Sequence, residues 1–235
     1  MSSKSPDSPD VGSSLQTDLR EALSFLSHNA REGHSSTLAL LELQRILPEP
    51  MPTPVLIDRI ERNARKSLAA IDDFMDMVAA RTRPLNFEEI DLADLLGELV
   101  ADAWSLARKH GIHVRFASGV ETAAVRADRQ MLAGTINKLL RDSAERTPRR
   151  GELLCGLTDG ATEWIVEVGD PGAPDNPPAV ADSSPWDGKL SLEGGVGAGL
   201  ALAQVVAQRH GGWVRVDVQP GGGRVCKVAL PRSSG

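Results

Sequence analysis

Apolar positions recur every three or four residues in two stretches near the start of the chain. Leu19, Ala22, Leu23, Leu26, Ala30, Thr37, Leu38, Leu41 and Leu47 form the first stripe; Leu56, Ile57, Ile60, Ala64, Leu68, Ile71, Met75 and Val78 form the second. A 3.6-residue period puts each set on one face, so the spacing predicts two long amphipathic helices. Thr17 or Asp18 is placed to cap the first, with Glu21 reaching back as in a capping box. Pro48-Glu-Pro50-Met-Pro52-Thr-Pro54 interrupts the pattern, and the second helix stops near Pro84, because proline removes a donor and clashes with the preceding turn. Two long helices joined by a short loop make a hairpin. Each stripe is wider than one partner helix covers, so a second copy of the hairpin is expected to complete a dimeric four-helix bundle.

From residue 85 the period changes. Asp91 can cap a helix over Leu92 to Arg108 that His110-Gly111 ends, and Ile112 to Phe116 alternates as a strand. Asp128 opens a helix carrying Leu132, Ile136, Leu139, Leu140 and Ala144. Leu153 to Thr158 and Trp164 to Val168 read as a hairpin across Asp159-Gly160, and Trp213 to Val218 pairs with Arg224 to Leu230 across Pro220-Gly221-Gly222. Hairpins with helices between them predict a mixed sheet carrying helices on one face. Residues 1 to 14, rich in Ser, Pro, Asp and Gly, are expected to be a disordered tail. The organisation is then tail 1–14, helical domain 15–84 and α/β domain 85–235.

Composition narrows the function. The chain has 235 residues, 41% hydrophobic and 25% charged, as in an ordinary globular protein. Its formal charge of −6 argues against nucleic-acid binding, which wants a basic face. No apolar run is long enough to span a bilayer, and Met1 to Asp10 has no signal core, which predicts a cytoplasmic location. Cys155 and Cys226 lie far apart in strand-like runs and are expected to be buried thiols; no metal-ligand spacing is present.

Two stretches carry candidate chemistry. Gly194, Gly195, Gly197 and Gly199 fill four of six positions directly ahead of the helical run Leu200 to His210. Glycine costs about 1 kcal/mol inside a helix, so these form a turn feeding a helix N-terminus. Bare backbone there can approach a ligand closely, and free amides with the helix dipole suit a phosphate. The plainer alternative is a tight turn packed under a helix. His28 shares its helical face with Ser24, Arg31, Glu32 and Ser35, which predicts an exposed imidazole able to act as a nucleophile. His34 sits near Ala30, Thr37, Leu38 and Leu41, which predicts a partly buried, structural histidine.

Gly195-Val-Gly197-Ala-Gly199-Leu200-Ala201, followed by His210-Gly211-Gly212, an alternating strand and Gly221 to Pro231, resembles the second glycine box and C-terminal end of the Bergerat-type ATPase domain of sensor histidine kinases. Phe25-Leu26-Ser27-His28-Asn29-Ala30-Arg31-Glu32-Gly33 resembles the phosphoacceptor box of the same family. His28 and Arg31 match it. Asn29 replaces the acid that serves as general base, Gly33 replaces a kinking proline, and Glu32, one turn after His28, is the candidate substitute carboxylate. Asp128 to Pro148 aligns without gaps to the N box, matching at Asp128, Leu132, Leu139, Leu140, Thr147 and Pro148. Lys138 and Asp142 replace its two asparagines, the second of which coordinates magnesium in the family. Aspartate keeps an oxygen ligand for a hard cation and adds charge near the triphosphate. Glu145 stands where a basic residue is usual; Lys138, Arg141 and Arg146 oppose it, and the plainer alternative is a surface helix with mixed charges. Val166 to Pro174 resembles the first glycine box: Asp170, which accepts from the adenine amino group in the family, and Gly172 match, whereas Pro174 replaces the second glycine. Ala173 to Glu193, rich in Pro, Asp and Ser, would be the nucleotide lid, without the family's phenylalanine box, or simply a floppy acidic loop.

The resemblance, over residues 17 to 232, implies a histidine kinase core. ATP would lie between the N-box helix, Asp170 and the Gly195 to Leu200 turn, with magnesium on Asp142. His28 would take the γ-phosphoryl group and pass it to an aspartate of a response-regulator receiver domain, within a homodimer. The departures leave two alternatives open: a histidine phosphotransferase that relays phosphate without ATP, and a dimeric signalling scaffold in which His28 is an ordinary surface residue.

Overall fold

The computed structural model describes residues 11–170, 198–218 and 223–233. The chain divides into two compact units, Met1–Ala79 and Ala80–Gly235.

The first unit is built on helices α1 (Val11–Ile46) and α2 (Thr53–Thr82). Helix α1 starts ahead of the expected Leu19, because Val11 and Leu15 continue the i, i+4 apolar spacing. Residues 11–14 are therefore helical rather than tail, and Thr17 and Asp18 lie inside the helix instead of capping it. Gln44 clasps the loop between the helices: its Nε2 donates to the Met51 carbonyl at 2.8 Å and its Oε1 accepts from the Met51 amide at 2.9 Å. Helix α1 continues unbroken through Gly33, which is buried; a Cβ there would collide with Ser67 Oγ and lie 2.8 Å from the Asn63 carbonyl oxygen. Gly33 thus allows the close approach of α2 at the position where it replaces the kinking proline of the phosphoacceptor box. His34 is exposed, contrary to the expected partly buried role. The reason is that its apolar neighbours are uncovered as well: Leu38 is 63% exposed, and Leu41 is exposed with it. Ile57, Leu68, Ile71 and Met75 of α2 are likewise exposed.

The second unit runs β1 (Glu88–Asp91), α3 (Leu92–His110), β2 (His113–Ser118), β3 (Ala124–Ala127), α4 (Arg129–Arg146), β4 (Glu152–Asp159), β5 (Glu163–Asp170), α5 (Ala198–Arg209), β6 (Trp213–Val218) and β7 (Arg224–Pro231). Five strands form one sheet in the order β2-β4-β5-β7-β6. Strand β2 is parallel to β4 and the other pairs are antiparallel, so the sheet is mixed, as its hairpins implied. Strands β1 and β3 pair antiparallel in a separate two-stranded sheet that the sequence did not reveal, each being too short to display alternation.

Alternate residues Leu153, Cys155 and Leu157 of β4, with Val166 and Val168 of β5 and Val228 and Leu230 of β7, form one core with the apolar stripes of α3, α4 and α5. Period 2 on the strands against period 3.6 on the helices produces this two-layer α/β arrangement. Asp91 caps α3 through the Ala93 amide at 2.8 Å and also accepts from the Ala123 amide at 3.0 Å. Gly111, at φ 68°, ends that helix in the left-handed conformation glycine tolerates. Cys155 and Cys226 are free and buried, and burial pushes both thiols up to about 12. Among the described residues no helix is long and apolar enough to cross a membrane.

Candidate functional site

Helices α4 and α5 meet at both ends, and each meeting is made by one of the residues the N box singles out. Asp128 caps α4, its Oδ1 accepting from the Met131 amide at 2.9 Å. The Arg83 Nη2 contacts both carboxylate oxygens, at 2.9 and 2.8 Å, and the Asn86 amide donates to Oδ2 at 3.0 Å. Burial pushes this carboxyl up, but the Asn86 and Met131 amides and the Arg83 guanidinium outweigh it and hold it below its ordinary value.

The backbone amide of Asp128 donates to Nε2 of His210, at the end of α5, at 3.0 Å. His210 Nδ1 lies 2.7 Å from the Val206 carbonyl oxygen. A carbonyl only accepts, so the proton resides on Nδ1 and Nε2 offers its lone pair: the ring is neutral. Burial depresses its pKa, as does Arg209, against the Val206 bond and the Asp128 charge. The Phe87 ring meets the imidazole edge-on at 5.3 Å. Sequence reasoning placed His210 last in one helical run and had Asp128 open another; it did not find this bond, since no periodicity relates positions 82 apart.

At the other end of α4, Lys138 and Asp142 are one turn apart, with Lys138 Nζ 3.6 Å from Asp142 Oδ1. Asp142 Oδ2 accepts the amide hydrogen of Gly199 at 3.0 Å, in the first turn of α5. Gly199 is buried, and a Cβ there would lie 2.5 Å from Asp142 Oδ2 and 3.1 Å from Lys138 Cγ, so only glycine admits this approach. Burial pushes the Asp142 carboxyl up, Lys138, the Gly199 amide and Arg146 pull it down, and Glu145 adds to the rise. Helix-terminal amide and ammonium together favour an anion. Asp142 also presents a hard oxygen donor of the type magnesium takes when one carboxylate, water and substrate phosphates complete its shell. The donor set fits that ion in company with phosphates; among the described residues no cluster of three or more His, Cys, Asp or Glu would hold a metal unaided.

The remaining sequence candidates are distributed as follows. Leu200 follows Gly199 and packs against the core. Asp170 ends β5, in register with Arg224 of β7. Gly172, Pro174, the Ala173 to Glu193 lid, Gly195 and Gly197 lie outside the described residues. In the first unit His28 is within α1, its side chain outside the described residues, and Arg31 and Glu32 are exposed on the same helix.

No family model matches the chain. It is 29% identical over 176 residues to the sensor protein DivL of Caulobacter vibrioides, covering 73% of this chain and 23% of that protein. It is 29% identical over 234 residues to the C4-dicarboxylate transport sensor protein DctS of Rhodobacter capsulatus, covering 94% of this chain and 33% of that one. The chain therefore spans a quarter to a third of these relatives. Its homologues are sensor histidine kinases. The crystal structure of histidine kinase ThkA in complex with the response regulator protein TrrA shares this chain's fold, with a TM-score of 0.65, 20% identity, and coverage of 97% of this chain and 68% of that one. Histidine kinase catalytic domains use ATP with magnesium in general.

Proposed function

We propose that the chain is the kinase core of a two-component system, which phosphorylates itself on His28 from ATP and passes the phosphoryl group to an aspartate of a response-regulator receiver domain. One observation carries this reading. Asp142 and Gly199, 57 positions apart, are brought together with Lys138 at the N-terminus of α5.

At that site the Gly199 amide, next to Leu200 in the chain, and the Lys138 ammonium hold phosphate oxygens. Asp170 accepts from the adenine amino group. When bound, magnesium supplies positive charge against the phosphates, and Asp142 is the carboxylate that would hold it. A ring nitrogen of His28 attacks the γ-phosphorus: the P–N bond forms as the bond to the β,γ-bridging oxygen breaks, and ADP leaves. The imidazole proton passes to a carboxylate, for which Glu32, one turn further along α1, is the candidate, with Arg31 beside it as a cation for the phosphoryl oxygens. A receiver aspartate oxygen then attacks phosphorus and the P–N bond breaks, returning neutral His28 after protonation.

Partner class is supported by the fold shared with ThkA, whose structure is a complex with a response regulator. The uncovered stripes, with Leu38 63% and Leu68 62% exposed, support a homodimer in which two hairpins form a four-helix bundle. ATP as substrate places this chemistry in the cytoplasm.

Titration with magnesium and ATP tests the reading: saturable binding that Gly197→Val abolishes supports it, and no binding at millimolar ATP rejects it. A second reading, a phosphotransferase that relays phosphate through His28 without ATP, is favoured by the Asp142 carboxylate already holding the Gly199 amide. It requires transfer from a phosphorylated receiver to His28 in the absence of any ATP binding.

A further inference from the structure

The anion-binding feature at the start of α5 already has an anion on it. The Asp142 carboxylate accepts the Gly199 amide at 3.0 Å, and its other oxygen faces Lys138 Nζ at 3.6 Å. Both attractive groups of the cluster are thus turned toward an internal negative charge. Asp142 is three-quarters or more out of solvent, its side chain being 17% exposed, so water screens that charge poorly. Glu145, one turn further round α4, adds a second negative group to the field at Asp142. Phosphates approaching Gly199 must displace or face a carboxylate, and like charges at such range oppose each other. A divalent cation between carboxylate and phosphates reverses the sign of that interaction.

We propose that Asp142 makes nucleotide binding by this chain conditional on a divalent cation: alone, its carboxylate competes with phosphate for the Gly199 amide and Lys138, and with the cation it becomes a point of attachment. The inference rests on the nucleotide reading of the cluster. It assigns Asp142 the role of setting which form of the nucleotide, free or metal-complexed, the site accepts. An asparagine at this position would offer the amide a carbonyl oxygen of the same shape without the charge, so Asp142→Asn separates charge from geometry.

The test is calorimetric titration of the whole chain with ATP, in excess magnesium and in EDTA, for wild type and Asp142→Asn. Wild-type affinity is expected to fall at least about tenfold on removal of magnesium, and in EDTA the variant is expected to bind at least about tenfold more tightly than wild type, because the competing charge is gone while the oxygen that can meet magnesium is kept. Asp142→Ala, which also removes the charge, is read in the same way if the asparagine variant does not fold. Equal magnesium dependence in wild type and variants overturns the inference while leaving the nucleotide site standing. Tighter metal-free binding in the variants supports it, even if wild type binds only in magnesium. No binding by any of the proteins in either buffer overturns the nucleotide reading and the inference together.

Discussion

The amide of Asp128 is hydrogen-bonded to Nε2 of His210 at 3.0 Å, which ties the start of α4 to the end of α5 and commits the imidazole to its neutral form. Protonation would put a hydrogen where the lone pair is needed. Burial lowers the folded pKa of His210, with Arg209 acting in the same direction and Val206 and Asp128 against it. The unfolded chain therefore takes up a proton at a higher pH than the folded one. The contribution is complete above the unfolded value of about 6.5 and is lost as pH falls toward the depressed folded value. The lowered carboxyl of Asp128 adds its own loss only below its ordinary 3.8. Denaturant unfolding at pH 7.5 and 5.5 should show wild type weaker at the lower pH. His210→Gln should lose about 1–3 kcal/mol at pH 7.5 and show a flatter slope; an unchanged slope would contradict the assignment.

Gly211 and Gly212 follow α5 directly, yet they tolerate different changes. Gly211 has φ 76° and no atom nearer to its absent Cβ than Pro231 Cγ at 3.6 Å. Gly212 is the reverse case: its Cβ would collide with the Ala229 carbonyl oxygen on β7, a backbone atom that cannot step aside. Gly211→Ala should cost about 1–2 kcal/mol from the left-handed backbone alone. Gly212→Ala should cost about 3 kcal/mol or more, from forced separation of α5 and the sheet. Paired thermal or urea melts read the order directly.

In the helical unit Gly33 plays the comparable part. Its Cβ would meet Ser67 Oγ and the Asn63 carbonyl, so Gly33→Ala should lower the melting of the hairpin despite alanine's better helix propensity of about 1 kcal/mol. A rise in helical stability in circular dichroism melts would show that α1 and α2 are not in close contact there.

Gly199→Ala separates site from fold. The atoms its Cβ meets, Asp142 Oδ2 at 2.5 Å and Lys138 Cγ at 3.1 Å, belong to side chains that can move. The fold should survive with a small loss in melting temperature, while ATP affinity in magnesium drops about tenfold or more, the equivalent of about 1.4 kcal/mol. Retained affinity would move the nucleotide away from this cluster.

What the sequence displayed was whatever is local. Asp91 and Asp128 as caps, Gly111 as a stop, and the Asp159-Gly160 turn each depend on a few neighbouring residues, and each is present. Strands β1 and β3 were hidden, because four residues carry no period and their pairing comes from distant segments. The stripe on α1 was visible, but which of its residues gain cover was not: His34 is exposed because Leu38 and Leu41 beside it are exposed too. At the site, residue types could be aligned to the N box, yet the engagement of Asp142 with Gly199 is a tertiary fact. Aspartate at that position reads equally as metal ligand or as internal anion until the amide it accepts from is known.

Under the proposed function, this chain moves the γ-phosphoryl group of ATP onto His28. Incubating it with magnesium and γ-labelled ATP, then following the label through acid and alkali, measures that directly. The protein should carry label that is lost in acid, survives alkali and is absent from His28→Ala. Unlabelled wild-type protein that binds ATP and magnesium, or label that persists in His28→Ala, would contradict it.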